Sequence, residues 1–117
     1  MFRVKRVYDP PEPGDGLRVL VDRLWPRGLS REAAQVNHWL RDVAPSKDLR
    51  NWFAHDPVKW ETFAQRYEQE LAANPETVNW LLEQGAAGPV TLLFGAQDRA
   101  RNNAVVLQAY LNRLEQA

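Results

Sequence analysis

The segment that most constrains the fold is Pro89-Val90-Thr91-Leu92-Leu93-Phe94-Gly95. It is short, almost wholly apolar, and bounded by proline and glycine. Apolar runs of this length between breakers read as strands covered on both faces, the kind found in parallel sheets. Such a strand needs neighbours on its edges and helices to cover it.

The neighbours are sought upstream. Residues 2–8 place Phe2, Val4, Val7 and Tyr8 among Arg3, Lys5 and Arg6, which suits a strand. Leu17-Arg18-Val19-Leu20-Val21 is denser in apolar residues and suits a more central one. Between them, Asp9 to Gly16 is a loop holding three prolines.

Helical spacing fills the stretch from 30 to 85. Ser30 can cap a helix carrying Val36, Trp39, Leu40 and Val43. Ser46 can cap a short helix holding Leu49, Trp52 and Phe53. Asp56-Pro57 and Asn74-Pro75 each pair a capping residue with a proline suited to the first helical position. The first opens a helix with Trp60, Phe63, Tyr67 and Leu71; the second, one with Val78, Leu81 and Leu82 that ends near Gly85. A last helix carries Leu107, Tyr110, Leu111 and Leu114, with Asp98 as its expected cap. Strand, helices and strand make a β-α-β crossover, which joins parallel strands. The expected architecture is a small α/β fold: a three-stranded, mostly parallel sheet with helices packed on it. At 117 residues the chain reads as a single domain, 1–117.

Composition removes several function classes. No cysteine is present, which excludes disulfides, thiolate catalysis and cysteine-ligated zinc or iron–sulfur sites. The two histidines, His38 and His55, do not by themselves make a metal cage. Gly14-Asp15-Gly16 is too short for a phosphate loop and precedes a strand, and no dinucleotide fingerprint is present. No cofactor is implied. No apolar run approaches the ~20 residues of a membrane span, and the charged start Met1 to Arg6 does not suit a signal peptide; a cytoplasmic protein is expected. Fifteen basic and fifteen acidic residues cancel, so a general pull towards nucleic acid is not expected. Locally the balance is uneven: residues 1–31 carry a net charge of +3 and residues 61–85 a net charge of −4. The acidic stretch reads as a solvated helix surface.

Ligands in open parallel sheets bind beyond the carboxyl ends of the strands. The words there are Asp22 to Gly28 and Gly95 to Arg99. Arg23 and Arg27 bracket a Trp25-Pro26 step, and arginine grips carboxylate or phosphate with two parallel hydrogen bonds. Each such charge-assisted bond is worth about 1.5–3 kcal/mol, so two arginines can hold a small anion. The alternative is that both pair with Asp22 and other carboxylates and simply hold the loop. Trp25 is the tryptophan placed to stack on a ligand, whereas Trp39, Trp52, Trp60 and Trp80 fall on predicted helix faces as core. A second cluster holds Ser46, Arg50 and His55. His55 can move protons, with an ordinary pKa near 6.5, or can close a helix by bonding a carbonyl. Ser46 and Asp56 suit caps before they suit a nucleophile or an acid, and Asp98 serves as cap or ligand contact. Three functions follow: a site for a small anionic molecule with His55 or Asp22 as proton carriers, a nucleic-acid-associated module, or an interaction module whose motifs specify only the fold.

Taken together, Val21-Asp22-Arg23-Leu24-Trp25-Pro26-Arg27-Gly28, Ala44-Pro45-Ser46, Leu49-Arg50 with Trp52-Phe53, His55-Asp56-Pro57, and Arg66-Tyr67 with Glu70-Leu71 resemble the YeaO-like proteins, domain-of-unknown-function family 488. Asn103-Ala104 to Leu111 fits the end of that pattern. The resemblance implies a compact cytoplasmic α/β domain and no particular activity. It puts emphasis on Asp22, Arg23, Arg27, Ser46, Arg50 and His55. One departure is Asn37, where the resemblance leads to an acidic residue two positions before Trp39.

Overall fold

The computed structural model describes residues 1–117. Four strands form one all-parallel sheet: β1 (Phe2–Arg6), β2 (Leu17–Leu20), β3 (His38–Trp39) and β4 (Val90–Phe94), in the order β1-β4-β2-β3. Five α-helices accompany it: α1 (Arg31–Ala34), α2 (Lys47–Phe53), α3 (Trp60–Ala72), α4 (Pro75–Ala87) and α5 (Asn103–Gln116). The α/β class and parallel sheet are as expected, and β4 is indeed central and buried along its whole length.

The expected count of three strands is wrong, because residues 30–43 do not form one helix. Ser30 does cap a helix, accepting from the Ala33 N–H, but that helix ends after one turn. Gln35 takes a left-handed conformation (φ 48°) as its cap, and the chain then extends. His38 and Trp39 pair with Val19 and Leu20 as β3. The pairing is reinforced at Asn37, whose Oδ1 accepts from the Arg18 N–H at 2.7 Å and whose own N–H donates to the Arg18 carbonyl at 2.8 Å. A neutral amide oxygen suffices for that work, so the absence of an acid at 37 leaves no charge unmatched.

The sheet's two faces differ. Phe2, Val19, Val21, Val90, Leu92 and Phe94 point into the main core with Phe63, Tyr67, Leu71, Leu81, Leu107 and Leu111 from α3, α4 and α5. Burying each such side chain contributes about 1.5–3 kcal/mol. On the other face, Val7, Leu20, Ala34 and Leu93 make a small second cluster beside Trp25 and Trp39. No tryptophan is fully buried: Trp52, Trp60 and Trp80 pack half-buried against the main core, so the expectation that they fill it holds only in part, and Trp39 lies on a strand.

The ten residues from Val7 to Gly16 return the chain from the end of β1 to the start of β2 across that second face. Asp15, with no exposure, anchors them. Its carboxylate accepts from Arg18 Nη1 at 2.6 Å and Lys5 Nζ at 3.0 Å, and its carbonyl accepts from Thr91 Oγ1 at 2.7 Å. Gly16 is needed at the corner. Its φ is +63°, and a Cβ there would come within 2.2 Å of the Pro89 carbonyl oxygen. No helix is long and apolar enough to cross a membrane.

Candidate functional site

A cavity of about 370 Å³ opens beyond the carboxyl ends of β1, β2 and β4. Tyr8 follows β1, Asp22 to Pro26 follow β2, and Gly95 and Ala96 follow β4. Arg50 and Phe53 reach it from α2, His55 from the turn after α2, Arg101 from the turn before α5, and Asn103 from the first residue of α5. Parallel strands concentrate binding groups at this end of the sheet.

Asp22 is fixed from three sides. Its Oδ2 accepts from the Gly95 N–H at 2.8 Å, its Oδ1 from Asn103 Nδ2 at 3.1 Å, and its carbonyl from Trp39 Nε1 at 2.8 Å. A Cβ on Gly95 would lie 3.2 Å from Oδ2, so a glycine keeps this approach open. Burial pushes the Asp22 carboxyl above its ordinary value, and the Gly95 and Asn103 hydrogen bonds and the charge of Arg50 oppose that.

The arginines divide into two groups. Arg23 and Arg50 line the cavity half-buried, and the Nε of each is buried with no hydrogen-bond partner. Neither joins any of the seven ion pairs in the protein. A buried N–H donor without an acceptor is costly, and native structures rarely keep one; the Nη groups of both arginines, without protein partners, reach solvent. Arg27 is different: it is exposed, lies outside the cavity, and its carbonyl accepts the Tyr8 hydroxyl at 2.9 Å.

Two other predicted site residues, Ser46 and Asp98, also stand apart. Ser46 caps α2 by accepting from the Leu49 N–H, and both its N–H and its hydroxyl donate to Glu70, at 2.8 and 2.6 Å. Asp98 does not start the last helix. It closes a turn by accepting from the N–H groups of Ala100 and Arg101, while Asn102 caps α5 by accepting from the Val105 N–H. Asp56 caps the 3-10 turn Pro57–Lys59, accepting from the Val58 N–H. Trp25 lines the cavity, but its ring is held by other contacts. Its Nε1 donates to the Leu29 carbonyl at 2.6 Å, and it meets Trp39 edge-on at 5.4 Å. His55 is exposed at the rim, 5.9 Å from the Phe53 ring, and follows Ala54 in a second left-handed conformation (φ 57° after 46°).

The cavity therefore unites Asp22, Arg23, Trp25, Arg50 and His55, and leaves out Arg27, Ser46 and Asp98. Sequence reasoning missed Tyr8, Asn51, Arg101 and Asn103. Asn102-Asn103 ahead of the apolar run Ala104 to Leu107 carried a helix-start signal that placed α5 correctly, had it been preferred to Asp98. Among His, Asp and Glu side chains no group of three or more could hold a metal ion.

An open parallel sheet with one polar cavity past its strand ends defines a small α/β protein of the open-sheet kind. The chain belongs to the DUF488 family: the family model described as the inactive DUF488-N3 subclade matches residues 1–117. It is 43% identical over 112 residues to an uncharacterized protein of Mycobacterium tuberculosis, Rv3073c, covering 94% of this chain and 92% of that one. It is 40% identical over 113 residues to the uncharacterized protein YeaO of Escherichia coli, covering 97% and 98%. No solved structure gives a significant match.

Proposed function

We propose that this protein binds a small phosphate- or carboxylate-bearing molecule in the cavity between Arg23 and Arg50. The observation that carries this reading is the pair of buried, unpartnered Nε atoms. Arginines that merely held the loop would have their donors filled by protein carboxylates or carbonyls. Asp22, the one carboxylate in the cavity lining, has both oxygens engaged elsewhere. An incoming oxyanion supplies acceptors to the solvent-reaching Nη groups of the same two side chains, which also lack protein partners, each charge-assisted bond being worth about 1.5–3 kcal/mol.

The reading is one of binding rather than turnover. Asp22 is held by donors on both oxygens, which suits a fixed wall better than a proton shuttle. The description of the matching family model as inactive points the same way. His55 then serves as a rim contact to the bound anion. The cytoplasm, where phosphorylated and carboxylated small molecules are abundant, is the location that goes with this function.

Thermal unfolding in rising inorganic phosphate at constant ionic strength tests the proposal. Phosphate should raise the melting temperature of the wild type and leave Arg50→Gln unmoved. Equal shifts in both proteins would remove Arg50 from the site.

A further inference from the structure

We infer that the occupant is a phosphate monoester, a dianionic phosphate carried on an uncharged polar group of metabolite size. This rests on the anion-binding reading above and narrows it. Charge comes first. Arg23, Arg50 and Arg101 line the cavity, and Asp22 is the single carboxylate that does. The lining is therefore doubly positive with Asp22 ionised. A monocarboxylate ligand, the kind gluconate represents, cancels half of that. A phosphate monoester, with a second pKa near 6, carries close to two negative charges at neutral pH. Arg101 is available for it: its one ion pair, to Asp98, is long at 3.6 Å, and both side chains are well exposed.

Geometry points the same way. Arg23 and Arg50 come from different elements, the β2–α1 connection and α2. Filling both guanidinium forks takes more than two oxygens, and a carboxylate has only two. A monoester has three terminal oxygens, enough to offer acceptors to both forks.

Size and the remaining lining then favour an occupant larger than a bare ion. At about 370 Å³ the cavity falls at the lower end of small-molecule sites, which run from roughly 300 to 1,000 Å³. Inorganic phosphate would leave most of it to water. The rest of the wall is organised for a polar organic group. Asn103 spends its Nδ2 on the Val21 carbonyl and Asp22, so its Oδ1 remains an acceptor for a ligand hydroxyl or amine. Asn51 offers a second amide. At the mouth, Leu24 (67% exposed) and Tyr8 (41%) form an apolar rim that an organic moiety would cover.

Calorimetric titration at pH 7.5 and fixed ionic strength, with glycerol 3-phosphate, ribose 5-phosphate, adenosine monophosphate, inorganic phosphate, gluconate and ribose, tests the inference. At least one of the three esters should bind tenfold or more tightly than inorganic phosphate and than gluconate, and ribose should not bind. Arg101→Gln, a change at an exposed residue, should weaken that ester about tenfold without lowering the melting temperature. If inorganic phosphate binds as tightly as every ester, or gluconate does, the monoester assignment fails while the anion site stands. If none of the anions binds, the anion site itself fails. Undiminished ester binding by Arg101→Gln would overturn the charge argument.

Discussion

Arg23 and Arg50 line one cavity from two different elements, and each has its Nε buried without a partner. In the unliganded protein each keeps one buried N–H donor that no protein acceptor satisfies. Replacing Arg50 by Met, which fills similar space without charge, should therefore leave stability unchanged or raise it by about 1 kcal/mol. Urea unfolding of the anion-free protein measures this. A loss of 2 kcal/mol or more would mean that Arg50 holds the fold together rather than awaiting a ligand.

Ser46 and Glu70 should behave in the opposite way. Ser46 caps α2, and both its N–H and hydroxyl donate to Glu70 across to α3. Ser46→Ala removes the cap and the hydroxyl bond, at a cost of about 1–2 kcal/mol. Because Ser46 lies outside the cavity, phosphate should stabilise Ser46→Ala as much as wild type. A variant that kept its stability but lost the phosphate response would place Ser46 in the site.

The two buried carboxylates give opposite pH dependences. Burial alone would push Asp15 up, but the Glu12 N–H, Lys5 and Arg18 together hold it below its ordinary value. Its contribution to stability is thus present at neutral pH and lost as pH falls through that lowered value. Asp15→Ala, which leaves the Arg18 guanidinium buried and unpaired, should cost about 3–5 kcal/mol at pH 7. Asp22 is raised by burial, so the fold favours its protonated form and loses stability as pH rises from about 4 through the raised value. The stability gap between wild type and Asp22→Asn should accordingly shrink from pH 4 to pH 7. A gap that stays constant would show that Asp22 titrates at its ordinary value, and one that widens would show that it titrates below it.

Ala54 ends α2 in the left-handed region, at φ 46°, where a side chain is unfavourable. Ala54→Gly should stabilise the protein by about 0.5–1 kcal/mol. Chemical unfolding that shows a loss instead would mean the left-handed turn at Ala54 and His55 is not strained.

The legible parts of the fold were those set by local patterns. The run Val90 to Phe94 read as a buried parallel strand because five apolar-to-small residues lie between Pro89 and Gly95. Trp60, Phe63, Tyr67 and Leu71 read as a helix because their spacing puts them on one face, and Phe63, Tyr67 and Leu71 are buried. The region from 30 to 43 misled because Val36, Trp39, Leu40 and Val43 also show helical spacing. What decides there is non-local: the edge of β2 offers hydrogen-bonding groups, and Asn37 locks onto Arg18. In the site, residues next to strand ends were found by position alone. Arg27 looked equivalent to Arg23, and only the turn at Trp25, Pro26 and Gly28 separates them, sending Arg27 to the surface. Tyr8, Arg101 and Asn103 were out of reach because they meet the cavity only through the pairing of β1 and β2 with β4.

A crystal structure grown from phosphate bears most directly on the central claim. The account predicts one phosphate in the cavity, within hydrogen-bonding distance of the guanidinium groups of both Arg23 and Arg50. An empty cavity, with those arginines paired to Asp22 or Glu70 instead, would contradict it.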